Sequence, residues 1–109
     1  MEFVNVIAII RNEMVESVER ALQKTGVLGF TVTKVTGVGE WEKRFSLFAG
    51  PSTHVKLEIF AEANRAEQIA SVLMETAHTG TVGDGLVAVS PLHKVVRIRP
   101  KDLARAGEE

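Results

Sequence analysis

Apolar positions set the rhythm of this chain. Residues 3–10 (Phe-Val-Asn-Val-Ile-Ala-Ile-Ile) are rich in β-branched side chains and nearly continuous in apolarity, which predicts a buried strand. Asn12 is placed to cap a helix. Met14, Val18, Ala21 and Leu22 then follow at i, i+4, i+7 and i+8, the stripe of an amphipathic helix. Thr25-Gly26 ends it, because glycine accepts the left-handed conformation in which helices often stop. A second strand, rich in Val and Thr, is expected from about Leu28 to Val38, and a loop from Gly39 to Thr53 closes the first half. The second half repeats the theme. Val55, Leu57 and Ile59 alternate with Lys56 and Glu58, the period of a strand with one wet face. Asn64-Arg65-Ala66-Glu67 resembles a capping box, and Ala66, Ile69, Ala70, Leu73 and Ala77 form a second helical stripe. Leu86 to Val89 predicts another short strand, and Val95 to Arg99 a final extended piece.

The order is therefore β-α-β, loop, β-α-β, with no low-complexity linker. Two split units of this length most simply form an α+β, ferredoxin-like βαββαβ sandwich, an antiparallel sheet with both helices on one face. Its other face is left bare. The first strand is apolar on both parities, with Phe3, Ile7 and Ile9 on one and Val4, Val6, Ala8 and Ile10 on the other. A strand with one wet face should alternate instead. Either the C-terminal segment covers one row, or the sheet backs are buried between subunits. The second reading is preferred, because exposed apolar patches of this size mark interfaces, and it predicts a homo-oligomer.

Composition narrows the function. The 109 residues fit one domain, residues 1–109. Thirteen basic against 14 acidic residues argue against a general nucleic-acid binder. The absence of cysteine excludes disulfides, thiolate metal sites and a cysteine nucleophile. No apolar run approaches the ~20 residues needed to cross a bilayer, and Glu2 and Asn5 interrupt any secretory signal, so a soluble cytoplasmic protein is expected. His54, His78 and His93 share no metal-ligand spacing. His54 and Glu58, four apart in a strand, would be separated by ~13 Å, so no metal site is assigned. There is no Gly-x-Ser-x-Gly elbow, no Gly-Lys-Ser/Thr, and no third glycine at dinucleotide spacing after Gly37 and Gly39. No residue is assigned a catalytic role, and an enzyme is not expected.

One cluster is left, Thr79-Gly80-Thr81-Val82-Gly83-Asp84-Gly85. It can be read as a tight turn. It can also be read as an anion site, because three glycines so close together bare several backbone N–H groups. Arg97 and Arg99, two apart on the expected extended piece, would lie on one side of it about 7 Å apart. Guanidinium forks match phosphate, so loop and arginines together favour a phosphate-bearing ligand.

The glycine cluster followed by Val95-Val96-Arg97-Ile98-Arg99 resembles the C-terminal signature of the PII signal-transduction family. Ile7-Ala8-Ile9-Ile10-Arg11, Gly26 to Val32, Val35-Thr36-Gly37-Val38-Gly39 and Val55 to Ile59 match it in order, so the resemblance covers residues 1 to about 100. It implies a ferredoxin-like homotrimer that binds adenine nucleotides in clefts between subunits and regulates another protein, a membrane transporter being one candidate. Thr31 and the backbone near Ile59 and Phe60 would receive the adenine, with Ile9 packing in the same pocket. Gly37, Val38 and Gly39 would border the ligand. Gly83, Asp84 and Gly85 would cradle phosphate and ribose, and Arg97 and Arg99 would reach the phosphates across the subunit boundary.

Departures from the family pattern shift the expected ligand. Glu40 and Trp41 stand where the family has Arg-Gln, which removes a phosphate contact and a residue that helps hold magnesium. The lysine that clasps 2-oxoglutarate is aligned with His54, and two phosphate-side lysines with Thr81 and Leu86. ADP or AMP is therefore expected over ATP, without ordinary 2-oxoglutarate sensing. The segment 39–53 is shorter than the family's loop and has no tyrosine, so no uridylylation switch exists. Trp41, Phe45 and Phe48 fall at i, i+4 and i+7 among Glu40, Glu42, Lys43 and Arg44, the spacing of a short amphipathic helix or lid. These rings would cover the cleft or a neighbouring subunit, or anchor a partner. The chain is similar in these respects to carboxysome-associated PII-like proteins, which makes bicarbonate a candidate second ligand, with His54, Lys56, Lys43 and Arg44 as an anion site. The alternative is a conventional nitrogen regulator controlling an ammonium transporter or an enzyme. A slow nucleotide phosphatase and a metal-tolerance-type trimer are weaker readings, and the tail Lys101 to Glu109 has no assigned role.

Overall fold

Strand β1 (Phe3–Arg11) lies inside a sheet because it is apolar on both parities. In the computed structural model, which describes residues 2–36, 40–42, 45–46 and 54–99, it pairs antiparallel with β5 (His54–Glu62) on one side and with β6 (Leu86–Leu92) on the other. An edge strand, β2 (Thr31–Val35), pairs antiparallel with β5, so the order across the sheet is β2-β5-β1-β6. Strands β3 (Glu40–Glu42) and β4 (Phe45–Ser46) pair antiparallel in a separate two-stranded sheet. With helices α1 (Val15–Lys24) and α2 (Ala66–Ala77), this is the expected ferredoxin-like α+β arrangement.

The register sorts the two rows of each strand. Val4, Val6, Ala8 and Ile10 stand opposite Ala61, Ile59, Leu57 and Val55. That row packs with Val18 and Leu22 of α1 and Ile69, Leu73 and Ala77 of α2 to form the core. Each fully buried Leu or Ile among them contributes about 1.5–3 kcal/mol. The other row of β1 forms the sheet back, where Phe3, Ile7 and Ile9 are half-buried and Phe60, opposite Asn5, is 60% exposed. Asn5 itself is only 8% exposed, and its Nδ2 donates to Glu58 Oε2 at 3.0 Å. Val96 and Ile98 are exposed, so their side chains do not cover this face.

Several local expectations are corrected. Asn12 does not cap α1: a 3-10 turn (Asn12–Met14) comes first, and Met14 at the cap position makes no side-chain bond. The Asn64 to Glu67 box does not form either, because a matching 3-10 turn (Ala63–Arg65) leads into α2. A tighter turn satisfies N–H groups that a capping side chain would otherwise take. The helix stop at Gly26 holds, with φ +93° and bonds from Gly26 N–H to Gln23 O and from Val27 N–H to Leu22 O. Arg65 donates to Thr25 O at 2.6 Å, tying the start of α2 to the end of α1.

β2 begins three residues later than expected, and β6 runs on to Leu92 through Pro91, which an edge strand tolerates. Val95 to Arg99 forms no strand among the described residues and bends at 98–99, pairing with neither edge strand, β2 or β6. Trp41 and Phe45 lie on β3 and β4 and not on a helix. Aromatic residues are enriched in strands, so the composition suits this pairing as well as it suits a helix.

Candidate functional site

The link from α2 to β6 turns on glycine. Gly80, Gly83 and Gly85 all have positive φ, of +87°, +100° and +107°. Gly85 is also a close approach, since a Cβ there would lie 1.7 Å from the Ile9 carbonyl oxygen. The loop backbone therefore rests directly on the backbone of β1.

Asp84 is the hub of the loop. Its Oδ2 accepts the N–H groups of Thr79 at 2.8 Å and Gly80 at 3.0 Å. Its Oδ1 accepts the Thr79 hydroxyl and, at 3.1 Å, Arg11 Nε. Arg11 Nη2 also donates to Thr81 Oγ1 at 2.8 Å and to Val82 O at 2.7 Å. His54 Nε2 lies 2.7 Å from Gly83 O, and because a carbonyl only accepts, this nitrogen carries the proton. Burial pushes the Asp84 carboxyl pKa up, but the bonds from Thr79, Arg11 and Gly80 outweigh it and hold it well below the usual carboxylate range. The carboxylate thus organises the loop, and the Arg11 guanidinium offsets its charge.

A cavity of about 550 Å³ opens beside the loop. Ile9, Ile10, Leu73, Ala77, Leu86 and Val87 form its apolar wall, and Asp84, His78 and Glu75 supply polar groups. Among the described residues no group of three or more His, Asp or Glu side chains could hold a metal ion. No helix among them is long and apolar enough to cross a membrane.

The candidate residues fall into separate places. Ile9, Asp84 and Gly85 share the cavity, and Gly83 is the loop residue bonded to His54. Thr31 is exposed on β2, at the opposite edge of the sheet from β6, three strand spacings or about 14 Å away. Ile59 faces the core at 1% exposure, and Phe60 faces the open sheet back. Arg97 and Arg99 follow β6, which leaves the loop at Leu86 and runs about 20 Å to Leu92. His54, read as a second-ligand residue, is 3% exposed and bonded to the glycine loop. Gly37, Val38, Gly39, Lys43, Arg44 and Phe48 lie outside the described residues. Arg11 was not among the expected site residues; the signal was a lone cation at the end of an apolar strand.

The family model for nitrogen regulatory protein P-II matches residues 3–102. The chain belongs to the P-II family. It is 34% identical over 106 residues to the nitrogen regulatory protein P-II of Porphyra purpurea, covering 92% of this chain and 95% of that one. The protein of the same name from Azospirillum brasilense is 35% identical over 98 residues, 84% of this chain and 88% of its own length. Among solved structures, Arabidopsis thaliana PII bound to citrate superposes with a TM-score of 0.74 at 33% identity, covering 88% of this chain and 80% of that one. The P-II match takes in β1, β5, the glycine loop and β6, so Arg11, His54 and Asp84 all lie within the family's own frame. P-II proteins are regulators, and this chain is one of them by descent.

Proposed function

We propose that this P-II protein is a non-catalytic cytoplasmic sensor. It acts as a homotrimer that binds ADP or AMP in preference to ATP in clefts between copies, and it signals through the segment 39–53 to a regulated protein. The observation that carries this reading is the glycine loop: a chain turn with three positive-φ glycines, its one carboxylate offset by Arg11, beside an apolar cavity. Such a loop offers backbone N–H groups to phosphate while the cavity takes an apolar ring face. The half-buried apolar row on the sheet back and the exposed Phe60 favour association.

The preference for fewer phosphates rests on lost cations. Thr81 is bonded to Thr79 and Arg11, and Leu86 lines the apolar wall, where the family carries lysines. Each missing charge-assisted bond is worth about 1.5–3 kcal/mol, roughly tenfold or more in affinity. Bicarbonate is the candidate second ligand. The names of the relatives favour a second reading, a conventional nitrogen regulator acting on an ammonium transporter or an enzyme.

Calorimetric titrations of ATP, ADP and AMP, each with and without 2-oxoglutarate and bicarbonate, separate the two. ADP or AMP should bind about tenfold tighter than ATP, unaffected by 2-oxoglutarate and shifted by bicarbonate. Tightest binding of ATP, strengthened by 2-oxoglutarate, would replace the proposal with the nitrogen reading, and nucleotide affinity indifferent to bicarbonate would remove the second ligand. Light scattering should give the mass of a trimer.

A further inference from the structure

Arg11 and His54 are register partners at the ends of β1 and β5, and both reach into the glycine loop. Arg11 takes the carbonyl of Val82 and His54 the carbonyl of Gly83, two successive peptide groups. No peptide bond among the described residues is cis. Across a planar trans peptide the C=O and N–H point in opposite directions. Fixing the Val82 and Gly83 carbonyls therefore also fixes the N–H groups of Gly83 and Asp84, which point away from the two strand ends. The anchors are firm. His54 is 3% exposed, and Arg11 is braced by Asp84 and Thr81 as well as by Val82.

We propose that Arg11 and His54 are positioning residues that together orient the Gly83 and Asp84 N–H groups toward a bound nucleotide's phosphate. The inference rests on the nucleotide reading above and adds the device that aims the loop. Neither side chain touches the phosphate; each acts through a loop carbonyl. His54 is also the first residue of β5.

The test compares ADP with adenosine, which lacks the phosphates, on the full-length protein by calorimetry. His54→Ala should weaken ADP about tenfold and leave adenosine unchanged, because only the phosphate contacts depend on the peptide planes. His54→Gln, which keeps an N–H donor, should restore most of the ADP affinity. Arg11→Lys keeps the charge but cannot bond Asp84, Thr81 and Val82 together, so it should also lower ADP affinity several-fold with adenosine unchanged. If His54→Ala unfolds, the Gln and Lys variants decide the matter. Unchanged ADP affinity in these variants, or equal losses for ADP and adenosine, would overturn the positioning role while leaving the nucleotide reading intact. A wild-type protein that binds neither compound would overturn both.

Discussion

Replacing Gly85 with alanine is expected to destabilise the fold by about 3 kcal/mol or more and, on the proposed function, to abolish ADP binding. Two causes act together. The residue sits at φ +107°, which a side chain disfavours, and the new Cβ would lie 1.7 Å from the Ile9 carbonyl oxygen. That neighbour is backbone of the strand at the heart of the sheet, so no rotamer change relieves the clash. The loop must lift from β1, taking Asp84 away from Arg11 and opening the cavity wall. Urea denaturation should show a lower midpoint with little change in slope. Gly29→Ala is the matched control: nothing lies within 4 Å of its added Cβ and its φ is not positive, so its midpoint should stay within about 0.5 kcal/mol of wild type. Equal effects for the two variants would contradict the close approach.

Asp84→Asn is expected to cost about 1–2 kcal/mol at neutral pH, because it replaces an ionised acceptor facing Arg11, two N–H groups and a hydroxyl. The pH dependence carries the sign. The folded carboxyl titrates well below its unfolded value near ~4, so its stabilisation is fully present above that value. It is lost as the pH falls from there through the folded pKa. The stability gap between wild type and Asp84→Asn should therefore be constant from pH 7 to about 5 and narrow below about 4. Chemical denaturation at a series of pH values measures it. A gap that does not narrow under acid would mean that the carboxylate charge does not hold the loop.

The fold was legible where side chains repeat with a period. The alternation from Val55 to Ile59 and the stripes through Val18 and Leu22 and through Ile69, Leu73 and Ala77 place the same residues in the core that the structure buries. Local punctuation was less legible. Asn12 and Asn64 look like caps, yet both sit inside 3-10 turns that take over the helix starts. Trp41 and Phe45, four apart, fit one helical face, yet they lie on the paired strands β3 and β4, and spacing alone cannot separate the two. Val95 to Arg99 has the composition of a strand but pairs with no strand among the described residues.

In the site, the glycines announced a special backbone, and the structure gives all three positive φ. What the sequence concealed was long-range. Arg11 meets Asp84 across 73 positions, and His54 meets Gly83 across 29, so no local pattern pairs them. The Asp84 side-chain oxygens gather the loop's own donors, a role that no local pattern in the sequence foretells. The register of β1 on β5 is what brings Arg11 and His54 side by side, and it appears only once the sheet is assembled.

The central claim is that the glycine loop receives the nucleotide's phosphates. The most direct measurement follows the backbone amide resonances of Gly80, Gly83, Asp84 and Gly85 during titration with ADP and, separately, with adenosine. Saturable shifts of these amides with ADP that adenosine does not reproduce are the predicted result. ADP binding that leaves them unmoved, with shifts elsewhere, would place the phosphates at another site and contradict the account.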